Sequence, residues 1–277
     1  MSIDRLPEGA VPLPPPPLAE RHEINELMRV VRSYTCPIIF NTQNPQLGTA
    51  VLLRRGERLF AFTAAHNIAA DTTIHIRLSP NAERTRFNIL DSFTHPQYDP
   101  GPATSKFDLA ILELESNTSV AAGDVAQLYT GSVEKLPEGS TPPPSTNSAF
   151  VWVVGYPAEL ARPNESRTTL YQTTFATQIL DYAPDEMSLY YPETAYQLPH
   201  DGMTCEVGST TPTPKGYSGG GVWATNIPTN GLFIPHRHIK LVGIQTHWSS
   251  SSRLIRCVPS KVMAEALKAF KPDLLES

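Results

Sequence analysis

Three things are scarce in this chain: cysteine, uninterrupted apolar sequence and clustered positive charge. The 277 residues contain only Cys36, Cys205 and Cys257, without metal-ligand spacing. A disulfide framework is therefore not expected, and thiols buried as core side chains suit a cytoplasmic protein. No apolar run approaches the roughly 18 residues that span a bilayer, and residues 1–8 lack the basic and apolar regions of a signal peptide. We expect a cytoplasmic location and no membrane association.

The charge and proline content narrow the class further. The formal net charge is −5, and lysine and arginine form no basic block, so nucleic acid is not expected as a partner. Proline is abundant, with 27 residues against an average usage of about 5%. Because proline interrupts helices and suits turns, its frequency, together with short β-branched runs, favours an all-β, loop-rich protein.

Residues 1–34 are predicted to form an arm and a short helix. Residues 7–17 are dense in proline and end in Pro14–Pro17, which is typical of an extended polyproline segment. From Glu20 to Arg32, apolar residues recur at helical spacing. That spacing predicts a short amphipathic N-terminal helix packed on the following domain.

From residue 35 onward the pattern changes to short apolar runs separated by turn residues. Six such runs within residues 35–130 predict a closed antiparallel barrel. The proline-rich residues 131–148 are predicted to link it to a second barrel, residues 149–258, which has a similar series of runs. Residues 259–277 are predicted to form a C-terminal helix and tail, with Ser260 as the N-cap.

One stretch carries the clearest functional signal. Between Pro214 and Gly221, Ser218 stands among four glycines, just before an apolar run. Glycine permits a tight backbone path with positive φ. Such a path exposes the hydroxyl and turns neighbouring N–H groups toward one point, as an acyl-transfer nucleophile and its oxyanion hole require. The alternative is a glycine-rich turn between two strands.

A histidine and an aspartate favour the catalytic interpretation. His66 follows one apolar run and Asp108 precedes another, although each alone is commonly structural. After Ser218 no acidic residue lies before His247, the last histidine, so the Ser–acid–His order of α/β-hydrolases cannot be built. The only aspartate before His66 is Asp4, in the arm, which excludes the subtilisin order. The order His66, Asp108, Ser218 remains.

With these residues identified, the chain resembles chymotrypsin-fold, trypsin-like serine peptidases of the bacterial, non-zymogen type. The resemblance covers residues 35–270 and is carried by six segments in matching order: Thr63–His66, His95–Asp99, Phe107–Leu114, Val154–Pro157, Gly216–Gly220 and Leu241–Thr246. It implies two six-stranded antiparallel β-barrels followed by a C-terminal helix, with the site in the cleft between the barrels.

The resemblance also implies catalytic roles. Ser218 would attack a peptide carbonyl, His66 would take and return the proton, and Asp108 would orient the imidazole. The N–H groups of Gly216 and Ser218 would form the oxyanion hole. The protein would be a serine endopeptidase acting on proteins or peptides, with no cofactor and no metal.

Two departures from the family affect the loop before the serine. Tyr217 stands where zymogen-type members have an aspartate that pairs with a newly cut N-terminus, so activation by such cleavage is not expected. The family's disulfide cysteine is also missing, since Pro214 and Lys215 precede Gly216. Packing and the stiffness of proline are expected to hold this loop instead.

The substrate pocket is the least specific part of the resemblance. The residues expected to line it are Thr213, Lys215, Thr246, His247 and Trp248. Pro212 occupies the position where an acidic residue would select lysine or arginine, so tryptic preference is not expected. We hypothesise that the pocket accepts an acidic or polar side chain of the substrate, and the indole of Trp248 would narrow the pocket.

Control of activity and one competing class remain open. An endopeptidase active in the cytoplasm would damage its host, so narrow specificity or a regulatory protein partner, acting through the N-terminal arm, is expected. The competing class is a catalytically inactive double barrel that binds peptides or proteins.

His236 and His238 have no third ligand at suitable spacing and are interpreted as part of a surface hairpin.

Overall fold

Two antiparallel sheets, each curled into a barrel, account for most of the regular structure. The computed structural model describes residues 29–40, 46–77, 84–100, 107–131, 150–164, 167–191, 194–198, 206–211, 213–225, 238–249 and 251–275. The predicted polyproline arm, most of the predicted linker, Cys205 and His236 lie outside these ranges. The predicted division of the chain into five parts stays a prediction.

The first sheet contains eight strands. They are β1 (Thr35–Phe40), β2 (Gln46–Arg55), β3 (Arg58–Thr63), β4 (Thr73–Arg77), β5 (Arg84–Phe87), β6 (Ile89–Thr94), β7 (Ala110–Leu114) and β8 (Gly123–Asp124). Only Asn88 separates β5 from β6, and a register shift follows at Ile89/Asp91. Because a bulge bends a strand, β5 and β6 act as one bent strand.

This bent strand closes the first barrel. Its first half, β5, pairs with β4, and its second half, β6, pairs with β7. The remaining neighbours are β4 with β1, β1 with β2, β2 with β3, and β3 with β7. Counted this way the ring has six strands, as predicted, and β8 adds a short parallel pairing to β2.

The second sheet also closes on itself. Its strands are β9 (Phe150–Gly155), β12 (Thr173–Tyr182), β13 (Met187–Tyr190), β14 (Thr194–Leu198), β15 (Glu206–Thr210), β16 (Gly221–Thr225), β17 (Ile239–Ser249) and β18 (Leu254–Pro259), while β10 (Arg162–Asn164) and β11 (Arg167–Thr169) form a separate hairpin. The pairing of β12 with β13 completes a ring of six, and β14 and β15 extend from β12. The chain between Thr168 and Leu180 is divided between β11 and β12.

Three apolar clusters hold these barrels together. One fills the first barrel and includes Cys36, and another fills the second barrel and includes Cys257. Both thiols are buried, as expected for core side chains. The third cluster draws residues from both sheets and from the C-terminal helix. Since burying apolar area is the dominant favourable term in folding, this shared core holds the two barrels against each other.

Helix Ser260–Phe270 follows β18 as predicted. Its apolar face, including Met263 and Leu267, contributes to the shared core. The predicted N-cap is wrong: Pro259 is the N-cap, and Ser260 is the first helical residue. The Ser260 hydroxyl donates instead to the carbonyl of Tyr129, a residue that packs against the core of the second barrel.

Only the last part of the predicted N-terminal helix falls within the described ranges. Residues 29–33 are helical there, and Val31 is buried in the shared core. No helical segment of the described ranges has the length and apolar character to cross a bilayer.

Candidate active site

His66 lies at the end of a core strand of the first barrel. β3 ends at Thr63, and a 3₁₀ turn, Ala65–Asn67, carries the ring toward the second barrel. The His66 backbone N–H donates to Asp108 Oδ1 at 3.0 Å, and its Nδ1 lies 2.6 Å from Asp108 Oδ2. Two contacts to one carboxylate fix both the backbone and the ring, while the side chain stays 35% exposed.

Asp108 is a fully buried carboxylate. It lies two residues before β7, so the same strand pair, β3 and β7, positions both it and His66. Its exposure is 0%. A charge without solvent must be paired and hydrogen-bonded; Oδ1 of Asp108 accepts from the His66 backbone N–H, and Oδ2 lies 2.6 Å from Nδ1. The carboxylate therefore favours the tautomer with the proton on Nδ1, leaving Nε2 as an acceptor.

Ser218 comes from the loop that precedes β16 of the second barrel. Its Oγ lies 2.8 Å from His66 Nε2 and also 2.8 Å from the carbonyl oxygen of Thr246. A hydroxyl has a single proton and donates to one acceptor at a time. The structure thus brings the three sequence-predicted residues, Ser218, His66 and Asp108, into one hydrogen-bonded series.

Gly216 sets the backbone path of the loop before Ser218. Gly216 has φ +94°, and a Cβ there would lie 2.4 Å from the carbonyl oxygen of Tyr156. The Lys215 carbonyl accepts from Ala158 N–H at 2.8 Å. Because a trans peptide places C=O and N–H on opposite sides, the Gly216 N–H points away from Ala158. Among the described residues, neither Gly216 N–H nor Ser218 N–H has a hydrogen-bond partner.

Thr49, a β2 residue with no local sequence signal, holds this loop from the first barrel. Its N–H donates to the Ser218 carbonyl at 2.8 Å, and its hydroxyl donates to the Gly216 carbonyl at 2.7 Å. The same hydroxyl accepts from Tyr156 N–H at 3.1 Å. One buried threonine therefore joins the serine loop to the segment after β9.

Asn67 and Gly219 complete this contact between the barrels. The Asn67 side-chain amide donates to the Ser218 carbonyl at 2.8 Å and to the Thr63 hydroxyl at 3.0 Å. Gly219 has φ +86°, and a Cβ at this position would lie 2.0 Å from the Thr49 carbonyl oxygen. The glycines around Ser218 are thus required by close backbone approach as well as by φ.

Tyr217 is buried in the core of the second barrel. Its exposure is 0%, and its hydroxyl contacts the Thr173 hydroxyl. Its ring packs edge-on against Phe175 at 5.5 Å, and a Cβ on Gly155 would lie 2.5 Å from the ring. Burial raises the pKa of the phenol well above its usual value, so it stays neutral. A neutral, packed side chain thus anchors the loop.

Comparison with known proteins bears on the fold. No family model matches the sequence, and no curated protein matches it either. Among solved structures, neuropsin, a serine protease expressed in the limbic system of mouse brain, is 15% identical with a TM-score of 0.51; the match covers 87% of this chain and 95% of that chain. The fold is chymotrypsin-like. At this identity the likeness shows the fold alone.

Within the chymotrypsin-like fold, His247 contacts the carboxylate that His66 contacts. Its predicted place in the substrate pocket stays a prediction. In the structure its Nδ1 lies 3.4 Å from Asp108 Oδ2, and its ring lies 5.2 Å from that of His66. Burial lowers the pKa of His247, the charge of Asp108 opposes that shift, and His66 adds to it. A bulge between Gln245 and His247 changes the strand register just before this residue. Such a contact has no signature in the sequence.

The remaining predicted pocket residues have different contacts, and their role in a pocket stays a prediction. Thr246 is buried, with its carbonyl directed to Ser218. The exposed Thr213 donates through its N–H and its hydroxyl to the carboxylate of Glu159, at 3.0 and 2.7 Å. Trp248 packs against Tyr191 with ring centroids 5.7 Å apart. Lys215 is exposed and contributes the backbone contact described above.

Glu159 and Tyr191 are neighbours of these pocket residues that the sequence did not reveal. Glu159 lies in the 3₁₀ turn Ala158–Leu160, next to the residue that binds the Lys215 carbonyl. Burial, and secondarily the charge of Glu159, raises the pKa of Tyr191 to about 12. Glu159 accepts from both donors of Thr213, so a carboxylate lies beside this predicted pocket residue.

Proposed function

We propose that this protein is a trypsin-like serine endopeptidase that cleaves peptide bonds through an acyl-enzyme intermediate. The observation that carries the proposal is the hydrogen-bonded series from Ser218 through His66 to Asp108. These groups come from two barrels, and the acid is buried while the imidazole remains one-third exposed. A purely structural ion pair does not require an exposed imidazole beside an uncharged hydroxyl.

In this proposal His66 moves one proton twice. Ser218 Oγ attacks the peptide carbonyl carbon as its proton passes to His66 Nε2. That proton then goes to the leaving amine, the C–N bond breaks and the acyl group stays on Ser218. A water molecule next gives a proton to Nε2 and attacks the acyl carbon, after which Ser218 recovers the proton. Asp108 stabilises the imidazolium at each transfer.

The Gly216 and Ser218 N–H groups would stabilise the oxyanion. Each such donor typically contributes about 3 kcal/mol to the transition state when aimed in advance. The direction of these two N–H groups depends on the φ angle of Gly216, the hydrogen bond between Lys215 and Ala158, and the contacts of Thr49. The donors would be in place before substrate arrives, since all three features belong to the folded chain.

We also propose that the protein needs no cleavage of its N-terminus to become active, as in the non-zymogen, bacterial type. The buried phenol of Tyr217 anchors the loop from within the second barrel. It replaces an ion pair that would form only after such a cleavage. Protein or peptide substrates, narrow specificity, control by a partner protein and a cytoplasmic location complete the proposal.

Labelling with a fluorescent fluorophosphonate tests the proposed reaction, because this reagent is attacked by an activated serine. The full-length chain and its Ser218→Ala variant are incubated with the reagent and compared on a denaturing gel. We expect time-dependent labelling of the parent and none of the variant. Melting temperatures of the two proteins provide the control for folding.

The opposite outcome would favour the competing class. If neither protein is labelled although both are folded, an inactive double barrel that binds peptides or proteins becomes the better description. Equal labelling of the parent and of Ser218→Ala would place the reactive nucleophile elsewhere in the chain.

A further inference from the structure

His66, Asp108 and His247 form a group with the donor atoms of a metal site. One ligand atom from each side chain lies within 4.8 Å of the other two. The shared oxygen, Asp108 Oδ2, is 2.6 Å from His66 Nδ1 and 3.4 Å from His247 Nδ1. Two imidazole nitrogens with one carboxylate oxygen are a donor set that zinc(II) favours, with water as a fourth ligand.

His247 gives an independent reason to look for a ligand here. Its Nδ1 is buried and lacks a hydrogen-bond partner among the described residues, although Asp108 Oδ2 is only 3.4 Å away. A buried polar atom without a partner is costly and is one sign of an ion that belongs at the position. This nitrogen therefore lies beside a carboxylate without making the hydrogen bond that would explain its burial.

The two contacts to Asp108 Oδ2 can be compared with the spacing of ligands around one zinc ion. Zinc binds imidazole nitrogen at about 2.0–2.1 Å and carboxylate oxygen at about 2.0–2.2 Å, so tetrahedral ligands lie about 3.3 Å apart. The contact between Asp108 and His247 already has this length. The contact between Asp108 and His66 would widen by about 0.7 Å as the ion replaces the shared proton.

We propose that this group binds zinc(II) and that zinc switches off the proposed peptidase. A metal on His66 Nδ1 needs the lone pair of that nitrogen, so the proton that Nδ1 carried moves through solvent to Nε2. With Nε2 protonated, the imidazole cannot accept the proton of Ser218. The Ser218 hydroxyl then donates to the Thr246 carbonyl, already 2.8 Å away. The switched-off state therefore gives His247 Nδ1 a ligand and keeps an acceptor for the Ser218 hydroxyl.

Zinc binding can be measured without any catalytic activity. Full-length protein with Ser218→Ala is titrated with zinc against a chromogenic chelator, alone and with His247→Ala, His247→Gln or His75→Ala added. His75 lies on β4, outside the group, and is the matched control. We expect His247→Ala and His247→Gln to weaken binding at least tenfold, and His75→Ala to leave it unchanged.

Cobalt(II) supplies a second readout, because its visible absorption reports low-coordinate nitrogen and oxygen ligation. The cobalt spectrum should change with His247→Gln and stay the same with His75→Ala. Unfolding curves of the metal-free variants confirm that each is folded. If both His247 variants bind zinc as tightly as their parent, or if the parent binds none, the site does not exist.

The switch rests on the proposed function and has its own test. Fluorophosphonate labelling of the chain with native Ser218 should slow at least tenfold in zinc, and a chelator should restore it. With His247→Gln, zinc should no longer slow the labelling. Zinc bound through His247 without any effect on labelling would overturn the switch. Absence of labelling even without zinc would instead overturn the proposed function, while the binding titration still decides the site.

Discussion

The carboxylate of Asp108 has no exposed surface, so its charge depends on hydrogen bonds from the protein for stabilisation. Asp108→Asn would replace an oxygen that accepts from His66 Nδ1 with an amide donor, favouring the tautomer that has the proton on Nε2. In the proposed mechanism that tautomer cannot act as a base, so we expect kcat to fall about 10⁴-fold. Initial rates of hydrolysis of a peptide substrate measure this change in kcat.

The exposed Asp181 on β12 provides the control for that substitution. Asp181→Asn should leave kcat within a factor of two, since the residue lies outside the hydrogen-bonded series. Comparable loss of activity in the two variants would show that charge at a distance, rather than the tautomer of His66, governs the rate.

Thr49 is the residue through which the first barrel holds the serine loop. Thr49→Val keeps the shape but leaves the Gly216 carbonyl and Tyr156 N–H without their shared hydroxyl. Leaving buried polar groups unsatisfied costs about 1–3 kcal/mol. We expect a loss of that size in the free energy of unfolding from urea titration, together with slower fluorophosphonate labelling. Thr49→Ser, which retains the hydroxyl, should behave nearly as the parent.

The sequence predicts the residues of the hydrogen-bonded series but not the residues that contact them from elsewhere in the chain. His66, Asp108 and Ser218 could be found because residue type, chain order and flanking apolar runs restrict the possibilities. Thr49 and His247 could not, because each acts through a contact with residues far away in the chain. Contacts of this kind depend on barrel closure and on bulges, which no local pattern specifies.

At the scale of elements, the C-terminal helix is attached to the first barrel by charge as well as by apolar packing. Lys271, just after the helix, lies 2.7 Å from Asp91 on β6 and 2.7 Å from Glu113 on β7. Arg58 on β3 contacts Glu113 and Asp273, each at 2.7 Å. The hydrogen bond from Arg58, and after it that from Lys271, lowers the pKa of Glu113.

Because the pKa of Glu113 is lowered, the stability that these ion pairs contribute depends on pH. A carboxylate whose pKa falls on folding stabilises the folded state above its unfolded pKa, about 4.3, and this contribution is lost as the pH drops through the folded pKa. Lys271→Met should cost about 1 kcal/mol or less at pH 7. The difference from the parent should shrink below about pH 4.

Urea titrations at pH 7 and at low pH measure that prediction, and the exposed Lys268 of the same helix is the control. Lys268→Met should change stability little at either pH. A Lys271→Met effect that is equal at both pH values would show that the lysine stabilises through its hydrocarbon stem instead.

The sequence predicts a strand correctly where one short apolar run forms the whole strand. It does not predict bends in the backbone within such a run. β3 and β7 were evident from their runs. The bend at Asn88 was not, and it is this bend that closes the first barrel. The Ser260 hydroxyl was predicted as a cap from residue type alone, whereas tertiary contact gave it the Tyr129 carbonyl as a partner.

At the scale of the whole molecule, the candidate site exists only where the two barrels meet. The first barrel supplies His66 and Asp108, and the second supplies Ser218. Thr49 and Asn67 add two hydrogen bonds from the first barrel to the Ser218 carbonyl. The relative placement of the barrels is thus part of the chemistry, and the shared apolar core with its C-terminal helix maintains it.

Hydrolysis of peptides by the intact chain and by Ser218→Ala is the most direct test of that chemistry. A peptide library identifies a cleaved sequence, and kcat is then measured for both proteins on that sequence. The account predicts cleavage by the parent and a loss of about 10⁶-fold in kcat with Ser218→Ala. Cleavage at equal rates by the two proteins would contradict it.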